Sequence, residues 1–314
     1  MTGRIITCRH EIFELPALLE WNVTHTGTVP SDSYSVTFLY DKTMAEALHL
    51  AAGFLAMEGG EVMLRGVVDE YTVELGAEGL MATVSGRGYM ARLLDNESRP
   101  LTYEAATLEE IIRNHVTPYG IRTAEMASVR ANSVYTVAAG TSQWKALEDF
   151  CQTYGGFSPR FGKDGRLLAC PEKEGKRIHI GEDDPVLSCV LREDHYGVLT
   201  DVLVIDKTRN VSYNVENRDM RERGGQCRRV VYTPGQSTWA AMRYTGEYQI
   251  QKSQAEECSV ELMLPGSFLA FPGDTVVLDL PRMGLAGTYR VTESENVCSR
   301  SGGSTVTLTL KERT

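Results

Sequence analysis

The sequence predicts a mainly β protein with an α/β part: two related β-barrel domains, at 1–97 and 178–314, flank a small α/β domain at 98–177. Three observations predict it. Apolar and polar residues alternate at period two near both ends of the chain, the pattern of strands with one buried face. The period becomes helical between residues 98 and 177. A run of strand, turn, strand, turn, strand occurs at 61–86 and again at 274–310, which reads as two similar barrels in one chain. The 314 residues, 42% of them hydrophobic, are enough to bury a core in two or three domains.

In the first part, Tyr34, Val36, Phe38 and Tyr40 of SYSVTFLY share one strand face, and Tyr71, Val73 and Leu75 of EYTVEL share another, so both strands are expected to be half-buried. Between them the spacing of TMAEALHLAAGFLAME predicts one helix over 43–57. Thr43 and Glu46 stand at capping-box spacing, Leu48, Ala51, Ala52 and Leu55 make an apolar stripe, and Gly59-Gly60 ends it. In the middle part, TLEEIIRNHVTPYG carries a second capping box at Thr107 and Glu110, an apolar side, and Pro118 as a stop. SQWKALEDFCQTYGG places Trp144, Leu147, Phe150, Cys151 and Tyr154 at helical spacing before Gly155-Gly156. FSPRFGKDGRLLAC is expected to be a hairpin around Lys163-Asp164-Gly165, because Asp-Gly suits a turn with positive φ. The last third returns to strands, VLTDVLVID, VSYNVEN, CRRVVYT, CSVELML, DTVVLDL, GTYRVTES and STVTLTLKE. One helix at 238–254, with Trp239, Met242 and Tyr248, interrupts them, and Gly246 weakens it.

The formal charge is −10, with Lys and Arg against Asp and Glu at 6 to 14 over 1–97, 11 to 9 over 98–177 and 15 to 19 over 178–314. Phosphate binding needs clustered cations, so specific nucleic-acid binding is disfavoured. No run reaches the 18 or so apolar residues of a membrane span and the N-terminus has no apolar signal segment, so a soluble chain made in a cytoplasm, with no membrane partner, is expected. Seven cysteines (8, 151, 170, 189, 227, 258, 298) and six histidines (10, 25, 49, 115, 179, 195) are scattered without metal-ligand spacing, so neither zinc nor a disulfide framework is expected.

Candidate chemistry is sparse. Asp183 and Asp184 of GEDD could form a carboxylate pair, but Pro185 follows them and a solvated loop is the simpler reading. Asp274 in PGDTV suits a turn whose carboxylate accepts local N–H groups, and Asp279 lies in the strand that follows. The SGRG at 85–88 is far from a phosphate-binding loop pattern. There is no GxSxG and no HExxH, and no motif ties His10, His25 or His195 to a nucleophile. No catalytic, cofactor-binding or metal-binding residue is therefore assigned. NRDMRERGGQCRR (217–229) is expected to be a solvated hairpin around Gly224-Gly225. Its sharper reading makes Arg218, Arg221, Arg223, Arg228 and Arg229 a candidate inter-subunit contact onto carboxylates of a neighbour.

Three segments together, VSGRGYMARLLDNESRP, TSQWKALEDFCQTYGGFSPRFGKDGRLLAC and FPGDTVVLDLPRMGLAGTYRVTESENVCSRSGGSTVTLTL, resemble in order and spacing the baseplate hub proteins of phage tails: the XkdQ-like proteins, the hub of phage Mu and the late control gene D proteins. The resemblance covers nearly the whole chain from about residue 60. It implies tail-tube-like barrels, two per chain, in a homotrimer that forms a hollow ring of six. Such a ring joins the sixfold tail tube to the threefold central spike, with heterologous contacts between unlike surfaces. The implied partners are the chain itself, the tail tube protein, the central spike protein and a tape measure protein. The implied location is a virion tail or phage-like particle assembled in the cytoplasm of the host bacterium. An acidic lumen, motivated by the surplus of carboxylates over 1–97, would repel passing DNA.

A structural, non-enzymatic hub is thus the leading expectation. The alternative is a tail-tip peptidoglycan hydrolase, in which Asp183 or Asp184 would be the residue to mutate. A carbohydrate-binding adhesin would want a groove of exposed aromatics, whereas the 25 aromatic residues stand mostly at core spacing.

Overall fold

The computed structural model describes residues 1–77, 79–233, 238–254 and 257–312. The first part folds as an antiparallel sheet of β1 (Thr2–Thr7), β2 (Ile12–Glu14), β3 (Leu18–His25), β4 (Ser33–Leu39), β5 (Ala51–Glu58), β6 (Glu61–Gly76) and β7 (Gly79–Gly88). Its spatial order is β3-β4-β7-β6-β5-β1-β2. Period-two alternation drives this arrangement. Tyr34, Val36 and Phe38 point into a core with Ile5, Val23 and Val84, and the Tyr34 ring stacks on Phe54 with centroids 4.2 Å apart.

The long helix expected over 43–57 is not there. A 3-10 turn at Lys42–Met44 leads into α1 (Ala45–His49), and the chain is extended from Ala51. The cap is Asp41, whose carboxylate accepts the Thr43 N–H at 2.8 Å, rather than Thr43 itself. Residues Ala51–Glu58 fit a helical stripe in isolation, yet β5 is hydrogen-bonded on both sides, to β1 and β6, and buries Phe54 and Ala56 at period two. Helix propensity differs by only about 0.7 kcal/mol per residue among ordinary residues, too little to outweigh two ladders and a core face. Gly59 and Gly60 have φ of 59° and 87° and form the β5–β6 hairpin turn rather than a helix stop.

The middle part comprises α2 (Ala91–Leu94), β8 (Leu101–Tyr103), α3 (Leu108–His115), β9 (Thr123–Met126), β10 (Tyr135–Val137), α4 (Gln143–Phe150), β11 (Arg160–Phe161) and β12 (Leu167–Ala169). The capping box at the start of α3 is reciprocal. Thr107 N donates to Glu110 Oε2 at 2.9 Å and Glu110 N donates to Thr107 Oγ1 at 3.3 Å. A wide turn at Cys151–Gly155 extends α4 and ends at left-handed Gly156. The hairpin between β11 and β12 is as expected, with Gly165 at φ 72°. Ile111, Trp144, Leu147, Phe150 and Leu167 lie at the centre of a separate core.

The last part holds β13 (Arg177–Gly181), β14 (Ser188–Glu193), β15 (Asp201–Asp206), β16 (Val211–Glu216), α5 (Arg218–Glu222), β17 (Arg228–Thr233), α6 (Trp239–Gln254), β18 (Cys258–Pro265), β19 (Thr275–Leu280), β20 (Leu285–Ser299) and β21 (Gly303–Glu312). Six of these strands run β14-β18-β21-β20-β19-β13. In chain order, β13, β14, β18, β19, β20 and β21 correspond to β1, β3, β4, β5, β6 and β7, and every neighbouring pair in one set is a neighbouring pair in the other. The long strands agree in detail: β6 has 16 residues and β20 has 15. Each is shifted once against the strand that follows it, at Val68/Glu70 against β7 and at Val291/Glu293 against β21, while β6 has a further shift against β5 at Ala56/Met57 that β20 lacks against β19. One difference is direction, since β1 is antiparallel to β5 whereas β13 is parallel to β19. The two sheets join through β3 and β20, and among the described residues no sheet closes on itself.

Between β14 and β18 sits an insert, a three-stranded sheet in the order β16-β15-β17 with α6 against it and its own core of Leu199, Val202, Val204, Met242 and Ile250. A Cβ on Gly246 would lie 2.4 Å from Val215 Cγ2, so the glycine that weakens α6 also lets it approach the sheet. The hairpin expected at 217–229 is corrected. Asn217 caps α5, and β17 pairs with β15 rather than with β16, so the strands on either side of the segment are not neighbours and the segment crosses over β15 instead of turning back as a hairpin.

Candidate assembly interface

The acidic residues act as local fasteners. Asp274 Oδ1 accepts the Lys176 N–H at 2.7 Å, Oδ2 accepts the Phe271 N–H at 2.9 Å, and Gly273 stands at φ 96°. The carboxylate therefore ties the turn before β19 to the start of β13. Asp279 lies in β19 between Gly181 and Ala286 of the flanking strands. Asp184 Oδ2 accepts the Gly181 N–H at 2.8 Å, reaching back across the turn that Asp184 N closes onto Gly181 O at 3.2 Å, while Asp183 is exposed beside it.

The buried histidines are structural as well. His25 lies under the rings of Phe268 and Phe271, with Nε2 2.8 Å from the Met63 carbonyl oxygen, and burial lowers its pKa. His115 Nδ1 is 2.7 Å from Gln143 Oε1 and 3.5 Å from Ser98 Oγ. The Gln143 NH2 group donates to Glu97 O and Tyr119 Oη, so its oxygen faces the ring and Nδ1 carries the proton. A protonated Nδ1 cannot take a proton from Ser98, so this contact is not a nucleophile–base pair. Burial lowers the pKa of His115 too. His10 holds a left-handed turn, and His195 Nε2 lies 3.4 Å from Arg223. Among the described residues no cluster of three or more His, Cys, Asp or Glu could hold a metal, and no helix is long and apolar enough to cross a membrane.

All five arginines of 217–229 lie in the insert. Arg221 pairs with Glu216 at 3.1 Å, Arg223 with Glu257 at 2.8 Å and Arg228 with Asp201, and Arg229 bonds Gln249 at 3.0 Å. Arg218, exposed on α5, makes no ion pair among the described residues.

The surface that a single chain leaves unfinished lies elsewhere. β5 pairs with β6 only as far as Val67, whereas β7 follows it to Gly76, so the outer half of β6 has one open edge. Along it Tyr71, Val73 and Leu75 are 40, 42 and 79% exposed. The sequence marks these three as one apolar face, yet nothing among the described residues buries it. β14 is another open edge, paired among the described residues only with β18, and Leu187, Val190 and Leu191 are exposed there. Unpaired edges carrying apolar side chains are templates for another strand. The role of β14 has a weak sequence signal, because Val190-Leu191 beside Arg192-Glu193 could equally belong to a covered strand.

No family model matches the chain, and no curated protein matches it either. Solved structures do. The 43 kDa tail protein of prophage MuSo2 from Shewanella oneidensis superposes with a TM-score of 0.79 at 14% identity, covering 99% of this chain and 98% of that one. A tail protein from Neisseria meningitidis MC58 gives 0.75 at 13% identity, covering 99% and 96%. The Escherichia coli c3393 protein, a component of the type VI secretion system with structural similarity to the T4 bacteriophage tail proteins gp27 and gp5, gives 0.55 at 10% identity, covering 95% and 74%. The chain is mainly β and shares its fold, over nearly its whole length, with phage tail proteins.

Proposed function

We propose that this chain is the structural baseplate hub of a phage or phage-like tail, a non-enzymatic homotrimer whose ring joins the sixfold tail tube to the threefold central spike. One observation carries the reading: the same six-strand order occurs twice in one chain. Three chains with two like modules each present six similar units on one side while keeping threefold symmetry on the other. Assembly would complete the two open sheets as tail-tube-like barrels. The likeness of the fold to tail proteins supports this role, as do carboxylates engaged in turns rather than converging on a substrate. The proposed partners are a second and third copy, the tail tube protein, the central spike protein and a tape measure protein, in a particle assembled in the bacterial cytoplasm. The arginine group is a further candidate contact, with Arg218 the member freest to meet a neighbour's carboxylate. Light scattering of the purified protein, alone and with the adjacent spike gene product, is expected to give a mass of three hub chains. A single-chain mass under both conditions would refute the trimer.

A further inference from the structure

The duplicated topology states how one module docks on the next. Within the chain, β3 lies antiparallel on the outer half of β20, with Trp21 opposite Cys298, Val23 opposite Asn296 and His25 opposite Ser294. Aligning the register shifts of β6 and β20 places Tyr71, Val73 and Leu75 where Ser294, Asn296 and Cys298 stand. Carrying the ladders β3–β4 and β14–β18 across the same alignment places Cys189, Leu191 and Glu193 where Trp21, Val23 and His25 stand. The docked junction is thus occupied once inside the chain, while both of its counterparts, the outer half of β6 and the outer edge of β14, are open.

We propose that β14 of one chain pairs antiparallel with the outer half of β6 in a second copy, with Tyr71 opposite Glu193, Val73 opposite Leu191 and Leu75 opposite Cys189. The chemistry of the two edges agrees with this register. Val73 and Leu191, both exposed in the single chain, would cover each other at the place of the buried pair Asn296 and Val23. On the other face Arg192 falls opposite Thr72, with Glu70 and Glu74 one diagonal step to either side, within reach of its guanidinium. A diagonal contact of this type exists in the intrachain junction, where Asn22 Nδ2 donates to Glu295 Oε1 at 2.9 Å. Each chain offers one edge of each kind, so the contact is heterologous and propagates until it closes. For closure at three, the inference rests on the trimeric reading above. The choice of edges and their register rests on the topology alone.

The register places a substituted cysteine directly opposite a native one. Opposed residues of an antiparallel pair have Cα atoms about 4.5 to 5.5 Å apart, within the span of a disulfide. Under mild oxidation, Leu75→Cys is expected to give covalent two-chain and three-chain species on a non-reducing gel. Leu75→Cys/Cys189→Ser is expected to give neither, and Gly76→Cys, pointing to the opposite face, neither. Light scattering of the same samples separates the two readings. A threefold mass without the Leu75→Cys cross-link overturns the strand pairing and leaves the trimer standing. A cross-linked ladder running past three chains keeps the pairing and overturns the closure. A single-chain mass without cross-link overturns both.

Discussion

His25 sits where β3, the turn after β18 and the hairpin at 162–166 meet, under two phenylalanine rings and with Lys163 over the Phe271 ring at 4.8 Å. Its folded pKa lies below the ordinary value of 6.5, with desolvation as the largest cause. The unfolded chain therefore binds the proton more readily. The stabilising contribution is complete above about pH 6.5 and is lost as pH falls through that value toward the folded pKa. His115 shifts in the same direction for the same first cause. The melting temperature is expected to fall between pH 7.5 and 6, and to fall less in His25→Gln than in the native protein. Equal slopes in the two proteins would remove His25 from this account. Gly246 teaches a related lesson at the same scale. In the sequence it only weakens a helix, because one chain of letters does not show that Val215 lies where a Cβ would go.

At the scale of the element, local signals were readable where local bonds decide. Thr107 and Glu110 announce the start of α3 and form both bonds of a capping box. Thr107→Ala is expected to cost about 1 kcal/mol, measurable as a lowered urea midpoint with an unchanged slope. A loss below a few tenths would show that tertiary packing alone holds the helix. Signals failed where distant partners decide. Ala51–Glu58 carries a helical stripe, and only the presence of β1 and β6 on either side makes it a strand. Asn217–Arg229 reads as a hairpin until β15 is known to lie between β16 and β17. The strand edges fall between these cases. Period two correctly gathers Tyr71, Val73 and Leu75 on one face, but no pattern within the chain says that nothing in a single copy covers them.

At the scale of the whole molecule, the shared strand order separates framework from addition. β3 and β4 are joined by residues 26–32, whereas the matching strands β14 and β18 are joined through the whole insert. The chain enters and leaves that insert side by side, since Asp194 N donates to Glu257 O at 2.7 Å just beyond the last ladder pair, Glu193 and Cys258. The insert has its own core. A prominent polar tie to the neck is Arg223, which reaches Glu257 and His195, and an ion pair with one partner half-exposed is worth about 1 kcal/mol or less. Replacing 195–256 with a short loop of the same sequence as 26–32 should therefore leave the two joined sheets folded. The melting temperature should shift by no more than about 2 to 4 °C, and circular dichroism should show a higher share of strand. The same variant divides the two candidate contacts, because it removes Arg218, Arg221, Arg223, Arg228 and Arg229 while leaving β6 and β14 intact. If the open strand edges drive assembly, it still reaches the mass of three chains. A folded variant that stays a single chain, where the full protein assembles, would move the interface from the strands to the arginines.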